Sequence, residues 1–160
     1  MKNKTLKLFA LTSMMACAMA VPAFAAETKA EYRTEAAEVK EDIKDINEKL
    51  AALRAENKAV VAKIKAVRTE RKETGTLPID KDAWEQIKTL QKESAQYRAG
   101  EEERNENKAL RVAVKQSVEN GNYDAALNSF NEILENRKER LDKVEKINQY
   151  MQQIDALLTE

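Results

Sequence analysis

The side chains that could do chemistry in this chain are mainly carboxylates, lysines and arginines, because histidine is absent and the single cysteine is Cys17. Serine or cysteine nucleophiles activated by histidine, histidine general bases and histidine metal sites are therefore excluded. Loops that cradle phosphates need clustered glycines. Here the glycines stand far apart, at Gly75, Gly100 and Gly121.

Two acidic groupings could be read as cation sites. Glu101, Glu102 and Glu103 are consecutive, so on a helix they point in different directions and cannot converge on one ion. A solvated face is the favoured interpretation. Asp80 and Asp82 have the spacing that begins a calcium loop, but the following ligands and the glycine of such a loop are missing. We interpret them as helix-capping residues and expect no metal and no cofactor.

The first 25 residues have the organisation of a secretory signal peptide. Three lysines precede an apolar run over residues 8–21, and the small-residue pattern of Ala23 and Ala25 stands before Ala26. A membrane-spanning helix needs roughly 20 apolar residues, which is more than this run provides. We therefore predict cleavage before Ala26 and export to the periplasm, the cell surface or the extracellular space.

Cys17 lies within the predicted signal peptide, and Met14-Met15-Ala16 before it is a poor match to a lipid-attachment pattern. The exported part then has no thiol, which excludes disulfides and cysteine metal sites. Loss of three lysines leaves 25 basic residues against 28 acidic ones, a net charge of about −3. Nucleic-acid-binding proteins usually have a basic excess, so we expect no nucleic-acid partner.

Glycine and proline punctuate residues 26–160, which we predict to form a single domain. Three helices are predicted, over about residues 28–73, 80–119 and 122–158. Thr28 and Glu31 have the spacing of a capping box at the start of the first helix. Asp80 is suited to cap the second helix, and Gly121 is suited to the left-handed position after it.

The apolar residues of the first predicted helix follow a heptad pattern, with alternating spacings of four and three. This seam consists of Tyr32, Ala36, Val39, Ile43, Ile46, Leu50, Leu53, Val60, Ile64 and Val67, with Asn57 as its polar interruption. A helix of about 45 residues spans roughly 70 Å and cannot cover such a seam alone. The predicted fold class is all-α: an elongated antiparallel three-helix bundle or coiled coil that runs up, down and up.

A parallel dimer of the first helix would also bury the seam. Its flanking positions would set Lys49 against Arg54, and Lys63 against Arg68, with no opposite-charge pair to offset the repulsion. The sequence therefore favours a chain that folds on itself, and self-association remains an open alternative.

Six residues form a candidate polar waist or hinge: Asn57, Tyr97, Arg98, Gly100, Asn105 and Arg137. A first hairpin near residue 78 puts the polar residue of the first seam level with the start of a polar stretch over residues 100–108. A second turn at Gly121 puts Arg137 opposite Asn105. Polar core positions tend to face one another, so this register favours a hydrated waist.

Gly100 is the residue that bears on whether the polar stretch is a helix or a loop. A glycine in a helix interior costs roughly 1 kcal/mol relative to alanine, and few apolar contacts restore it here. We favour one continuous but weakened helix with its hinge at residues 100–108. The alternative is that Gly100 ends one helix and the charged run is a loop.

Residues 121–135, GNYDAALNSFNEILE, resemble the second helix of a tetratricopeptide repeat. The matching positions are Gly121, Tyr123, Ala126, Phe130 and Ile133. The preceding helix lacks the repeat's pattern, and no period of about 34 residues recurs. The resemblance implies shared turn-and-helix packing, without a peptide-binding groove.

In export, length and helix content the chain also resembles the Spy and CpxP family of periplasmic chaperones and stress sensors. The Leu-Thr-x-x-Gln repeats of that family are absent, since Lys88-Thr89-Leu90-Gln91 and Leu158-Thr159-Glu160 do not match. The resemblance implies a class of function and no site residues.

These features predict an exported, non-enzymatic helical bundle that binds other proteins as an envelope scaffold, adaptor or chaperone-like factor. The alternative is a structural coiled-coil protein of the cell envelope or surface that self-assembles. Paired carboxylates are a catalytic arrangement that composition leaves open, but they need a concave pocket, which a slender bundle rarely provides. We expect no stable membrane span in the exported chain.

Overall fold

The computed structural model describes residues 28–159, and within this range the chain forms four α-helices and no β-strand. The helices are α1 (Lys29–Thr74), α2 (Lys81–Ala95), α3 (Glu101–Glu119) and α4 (Tyr123–Leu157). The predicted signal peptide, with Ala23, Ala25 and Ala26, lies outside the described residues. An all-helical bundle is confirmed.

The helix boundaries follow from local side-chain chemistry. At the start of α1, the Thr28 N–H donates to the Glu31 carboxylate at 2.9 Å, and the Thr28 hydroxyl accepts from the Glu31 N–H. Gly75 ends α1 in the left-handed conformation, with φ 74°, which glycine adopts without steric cost. The Asp80 carboxylate accepts two N–H groups of the first turn of α2, and these bonds lower the pKa of Asp80.

Helix α4 is the common packing partner of the other three helices. Near the first hairpin, a buried cluster joins α1, α2 and α4; it consists of Val60, Ile64, Trp84, Ile87, Met151 and Ile154. Further along α1, a second cluster joins α1 to α4; it consists of Ile46, Leu50, Leu134 and Val144. Residue numbers rise together in these α1–α4 contacts, so the two helices run parallel.

The predicted seam of α1 is the face that the bundle covers. Every seam position from Tyr32 to Val67 is buried or half-buried, and most residues between these positions are exposed. The heptad spacing keeps these side chains on one side of the helix. The hydrophobic effect therefore explains why α1 lies against α4 along its length.

The predicted continuous helix over residues 80–119 is wrong, because the structure has two helices separated by residues 96–100. The weak point lies before the charged run, and the charged run itself is helical. Gly100 is extended, with φ −73° and ψ 173°, and serves as the N-cap of α3. Glu101 and Glu103 fall in the first turn of α3, where carboxylates interact favourably with the helix dipole. These charges favour a new helix start at this point.

Replacement of Ile154 by alanine tests the packing on α4. Ile154 is fully buried where α1, α2 and α4 meet, so Ile154→Ala should lower the free energy of unfolding by about 2–5 kcal/mol. Urea unfolding followed by the fluorescence of Trp84, which lies in the same cluster, measures the change. Val112→Ala, at a position 49% exposed, is the control and should change the value by less than about 0.5 kcal/mol. Equal stability of the two variants would contradict the packing.

Candidate functional site

Two side chains of α4 hold the break between α2 and α3. Arg140 Nη1 donates to the backbone carbonyl oxygen of Tyr97 at 3.1 Å. This carbonyl lies just beyond the end of α2, where backbone oxygens lack helical partners. Lys143 Nζ pairs with Glu103 Oε2 at 3.1 Å, in the first turn of α3. Helix α4 therefore contacts both the end of α2 and the start of α3.

A recess of about 420 Å³ opens beside the break, with walls from α1, α3 and α4. Six cationic side chains line it: Arg54 from α1, Arg104, Lys108 and Arg111 from α3, and Arg137 and Arg140 from α4. Among the side chains that the structure describes, Glu103 is the one carboxylate of the lining. It already pairs with Lys143. We call this site the arginine recess.

Helical spacing explains why the positive charges converge. Arg104, Lys108 and Arg111 are four and three residues apart, so they share one face of α3. Arg137 and Arg140 are three residues apart and share one face of α4. Of the six cations only Arg137 was predicted as a site residue, although helical spacing is a signal for those of α3 and for Arg140. Arg54 stands alone on α1 and has no such signal.

The cations of the arginine recess repel one another. Partial burial lowers the pKa of Arg137, and the charges of Arg111 and Arg54 lower it further. Burial also lowers the pKa of Arg140; Glu103 opposes this effect, and two neighbouring arginines add to it. None of the five arginines lies within salt-bridge distance of a described carboxylate. The protein alone therefore holds these charges at an electrostatic cost.

Three buried polar atoms in the lining have no hydrogen-bond partner among the described residues: Asn107 Oδ1, Asn136 Nδ2 and Arg137 Nε. Asn107 Nδ2 donates to the backbone oxygen of Glu103 at 2.8 Å, which orients that amide. Buried polar groups normally have partners, and each unsatisfied group costs free energy. Two of the three atoms are donors, so the recess is equipped to bind groups that accept hydrogen bonds.

The predicted waist residues are distributed over several places. Arg137 lines the arginine recess, whereas Asn105 is exposed and lies outside its lining. Tyr97, Arg98 and Gly100 line a second recess of about 350 Å³. Asn105 was expected opposite Arg137; in the structure Asn107 lines the recess together with Arg137, and Asn105 does not.

Asn57 reaches α4 by a different contact from the one expected. Its Oδ1 accepts a hydrogen bond from Asn148 Nδ2 at 3.1 Å, and Asn148 Nδ2 also donates to Glu56 Oε2 at 2.9 Å. Tyr97 stacks on Tyr150, with ring centroids 6.1 Å apart. Residues 148 and 150 are two positions apart, so their side chains point to nearly opposite sides of α4. Asn57 and Tyr97 are thus level with each other on different faces of α4.

Comparison of the chain with protein families, with curated proteins and with solved structures found no match in any of the three. Within residues 28–159, no helix has the length and apolar character that a membrane crossing requires. The same residues contain no group of three or more potential ligands placed to hold a metal ion. The function is therefore argued from the arginine recess itself.

Neutralising Arg137 should stabilise the protein. Arg137→Met removes a partly buried charge that faces other arginines, and it keeps an unbranched side chain of good helix propensity. Because the side chain is half-exposed and screened by water, the free energy of unfolding should rise by only about 0.5–1 kcal/mol. Urea unfolding at low salt measures the change.

Arg33→Met is the matched control for this measurement, since Arg33 is exposed on α1 and outside the recess. It should leave stability nearly unchanged. A loss of stability in Arg137→Met that exceeds the effect of the control would contradict the electrostatic description of the recess.

Proposed function

We propose that the protein is an exported, non-enzymatic helical scaffold, adaptor or chaperone-like factor of the cell envelope, and that it binds other proteins through the arginine recess. The observation that carries the proposal is the excess of positive charge in this recess. Five arginines and one lysine face a single described carboxylate there. A partner that supplies anionic groups relieves their repulsion and accepts charge-assisted hydrogen bonds from the guanidinium groups.

The position of the recess supports a binding role. Its walls come from three helices: the buried clusters join α1 to α4, the pair of Lys143 with Glu103 ties α3 to α4, and Arg140 bonds to the break. Side chains held in place before binding lose less conformational entropy when a partner arrives. In this proposal the bundle runs up, down and up, with α2 and α3 together as its middle rod.

The surface favours recognition by charge. Among the described residues, Val112 is the large hydrophobic side chain with high exposure. A partner therefore meets a mainly polar and charged surface, which suits an adaptor or scaffold better than a chaperone that holds apolar segments. Export is supported by the signal-peptide pattern of residues 1–25, and it makes envelope or secreted proteins the expected partners.

A photo-crosslinking reagent attached to an introduced cysteine beside the recess tests the proposal. The predicted exported chain has no cysteine, so Asn105→Cys provides a single attachment point that is exposed and next to the recess. Irradiation of cells that export this variant should yield crosslinked protein partners. Arg111→Glu in the same chain should abolish most of these products, because it reverses a charge in the recess lining.

Lys72→Cys, at an exposed position near the end of α1, is the matched control and should give few of these products. The proposal fails if Asn105→Cys yields no crosslinked protein. It also fails if the same products arise from Lys72→Cys or persist unchanged with Arg111→Glu.

A further inference from the structure

We infer that the arginine recess binds a multiply charged phosphate group, present either as a free ion or as a group carried by a larger molecule. The inference rests on the recess being the recognition site proposed above, and it specifies the chemistry of the ligand. It is carried by the geometry of the cations, by the unpartnered donors and by the contrast between the recess and the rest of the chain.

The cations approach the recess from three directions. Arg54 stands on α1, Arg111 on α3 and Arg137 on α4. A carboxylate offers one negative charge and two oxygens in one plane, which suits one or two guanidinium groups. A phosphate monoester has a charge near −2 at neutral pH and three acceptor oxygens in a non-planar arrangement. A phosphate group can therefore bond guanidinium groups from all three walls at once.

The buried lining atoms that lack hydrogen-bond partners also fit a phosphate group. Arg137 Nε and Asn136 Nδ2 are buried donors without a described partner, and phosphate oxygens are acceptors. Asn107 Oδ1 is a buried acceptor, which can accept from the O–H of a hydrogen phosphate. These atoms have almost no accessible surface, so a phosphate group becomes their partner when the side chains that cover them move aside, and it then satisfies the donors and the acceptor.

The positive charge of the recess is a local feature of this chain. The exported part has a net charge of about −3, with 25 basic and 28 acidic residues. Acidic side chains are therefore abundant, yet no described carboxylate forms a salt bridge with the arginines of the recess. The described ion pairs of this chain are all made by lysines, so arginines without a salt bridge are not peculiar to the recess. The recess is distinguished by its lining, in which six cations meet one described carboxylate.

Calorimetric titration of the exported chain tests the inference. The probes are inorganic phosphate, tripolyphosphate and a hexa-aspartate peptide, each in chloride buffer at the same ionic strength. We expect one saturable site per chain for at least one phosphate probe, with affinity at least about tenfold higher than for hexa-aspartate. Tightest binding of inorganic phosphate indicates a single group as ligand, and tightest binding of tripolyphosphate indicates linked phosphates on a larger molecule.

Variants assign the binding to the recess. Arg111 is exposed at the rim, so Arg111→Gln should preserve the fold, as circular dichroism and urea unfolding will verify. It should weaken phosphate binding about tenfold, the usual effect of losing one charge-assisted hydrogen bond. Arg137→Met should weaken binding by as much while the chain becomes more stable. Arg33→Gln is the control and should bind phosphate as the unaltered chain does.

The inference is overturned if no phosphate probe saturates, if hexa-aspartate binds as tightly, or if Arg33→Gln weakens binding as much as Arg111→Gln. Its failure is distinct from failure of the proposed function. Crosslinked partners that depend on Arg111, without phosphate binding, contradict only the ligand chemistry. Saturable phosphate binding without crosslinked partners contradicts only the protein-binding role.

Discussion

Burial of apolar side chains against α4 is the interaction on which the rest of the structure depends. One cluster around Ile154 joins α4 to α1 and α2, and a second around Val144 joins α4 to α1. Arg54 lies between the parts of α1 that enter these clusters, next to the helix face that they cover. Because apolar packing fixes the register of α1 against α4, it also brings Arg54 of α1 to the same recess as Arg137 and Arg140 of α4.

In the proposed function, the arginine recess trades stability for a binding site. Like charges and unpartnered buried atoms lower the stability of the folded chain, and the apolar clusters on α4 offset that loss. Local rules of protein design are commonly broken at functional sites and satisfied elsewhere. Asn148 has hydrogen-bond partners, whereas Arg137 Nε in the recess and Trp84 Nε1 in the apolar cluster have none among the described residues. Asn148 completes the core, whereas Arg137 faces the recess.

Features that depend on local chemistry could be predicted from the sequence. The seam from Tyr32 to Val67 follows from heptad spacing, the cap at Thr28 from its distance to Glu31, and the turn at Gly75 from the freedom of glycine. The break at residues 96–100 could not be predicted in the same way. A glycine costs a helix only roughly 1 kcal/mol, so tertiary contacts decide between a continuous and a broken helix.

The tertiary contacts at the break include the bonds of Arg140 to Tyr97 and of Lys143 to Glu103. They join residues 43 and 40 positions apart in sequence, so helical periodicity does not reveal them. The arginine recess was missed for the same reason. The shared face of Arg104, Lys108 and Arg111 was visible from their spacing, but the sequence does not show that this face meets α1 and α4.

Packing of α3 on α4 makes like charges of the two helices face each other in the arginine recess. A double-mutant cycle with Arg111→Gln and Arg137→Met, measured by urea unfolding at low and high salt, tests it most directly. The account predicts repulsive coupling: the double variant gains less stability than the sum of the single gains, by about 0.5 kcal/mol at low salt. This coupling should vanish at roughly 1 M salt, where screening is strong. Additive effects at low salt, or coupling of the attractive sign, would contradict the account.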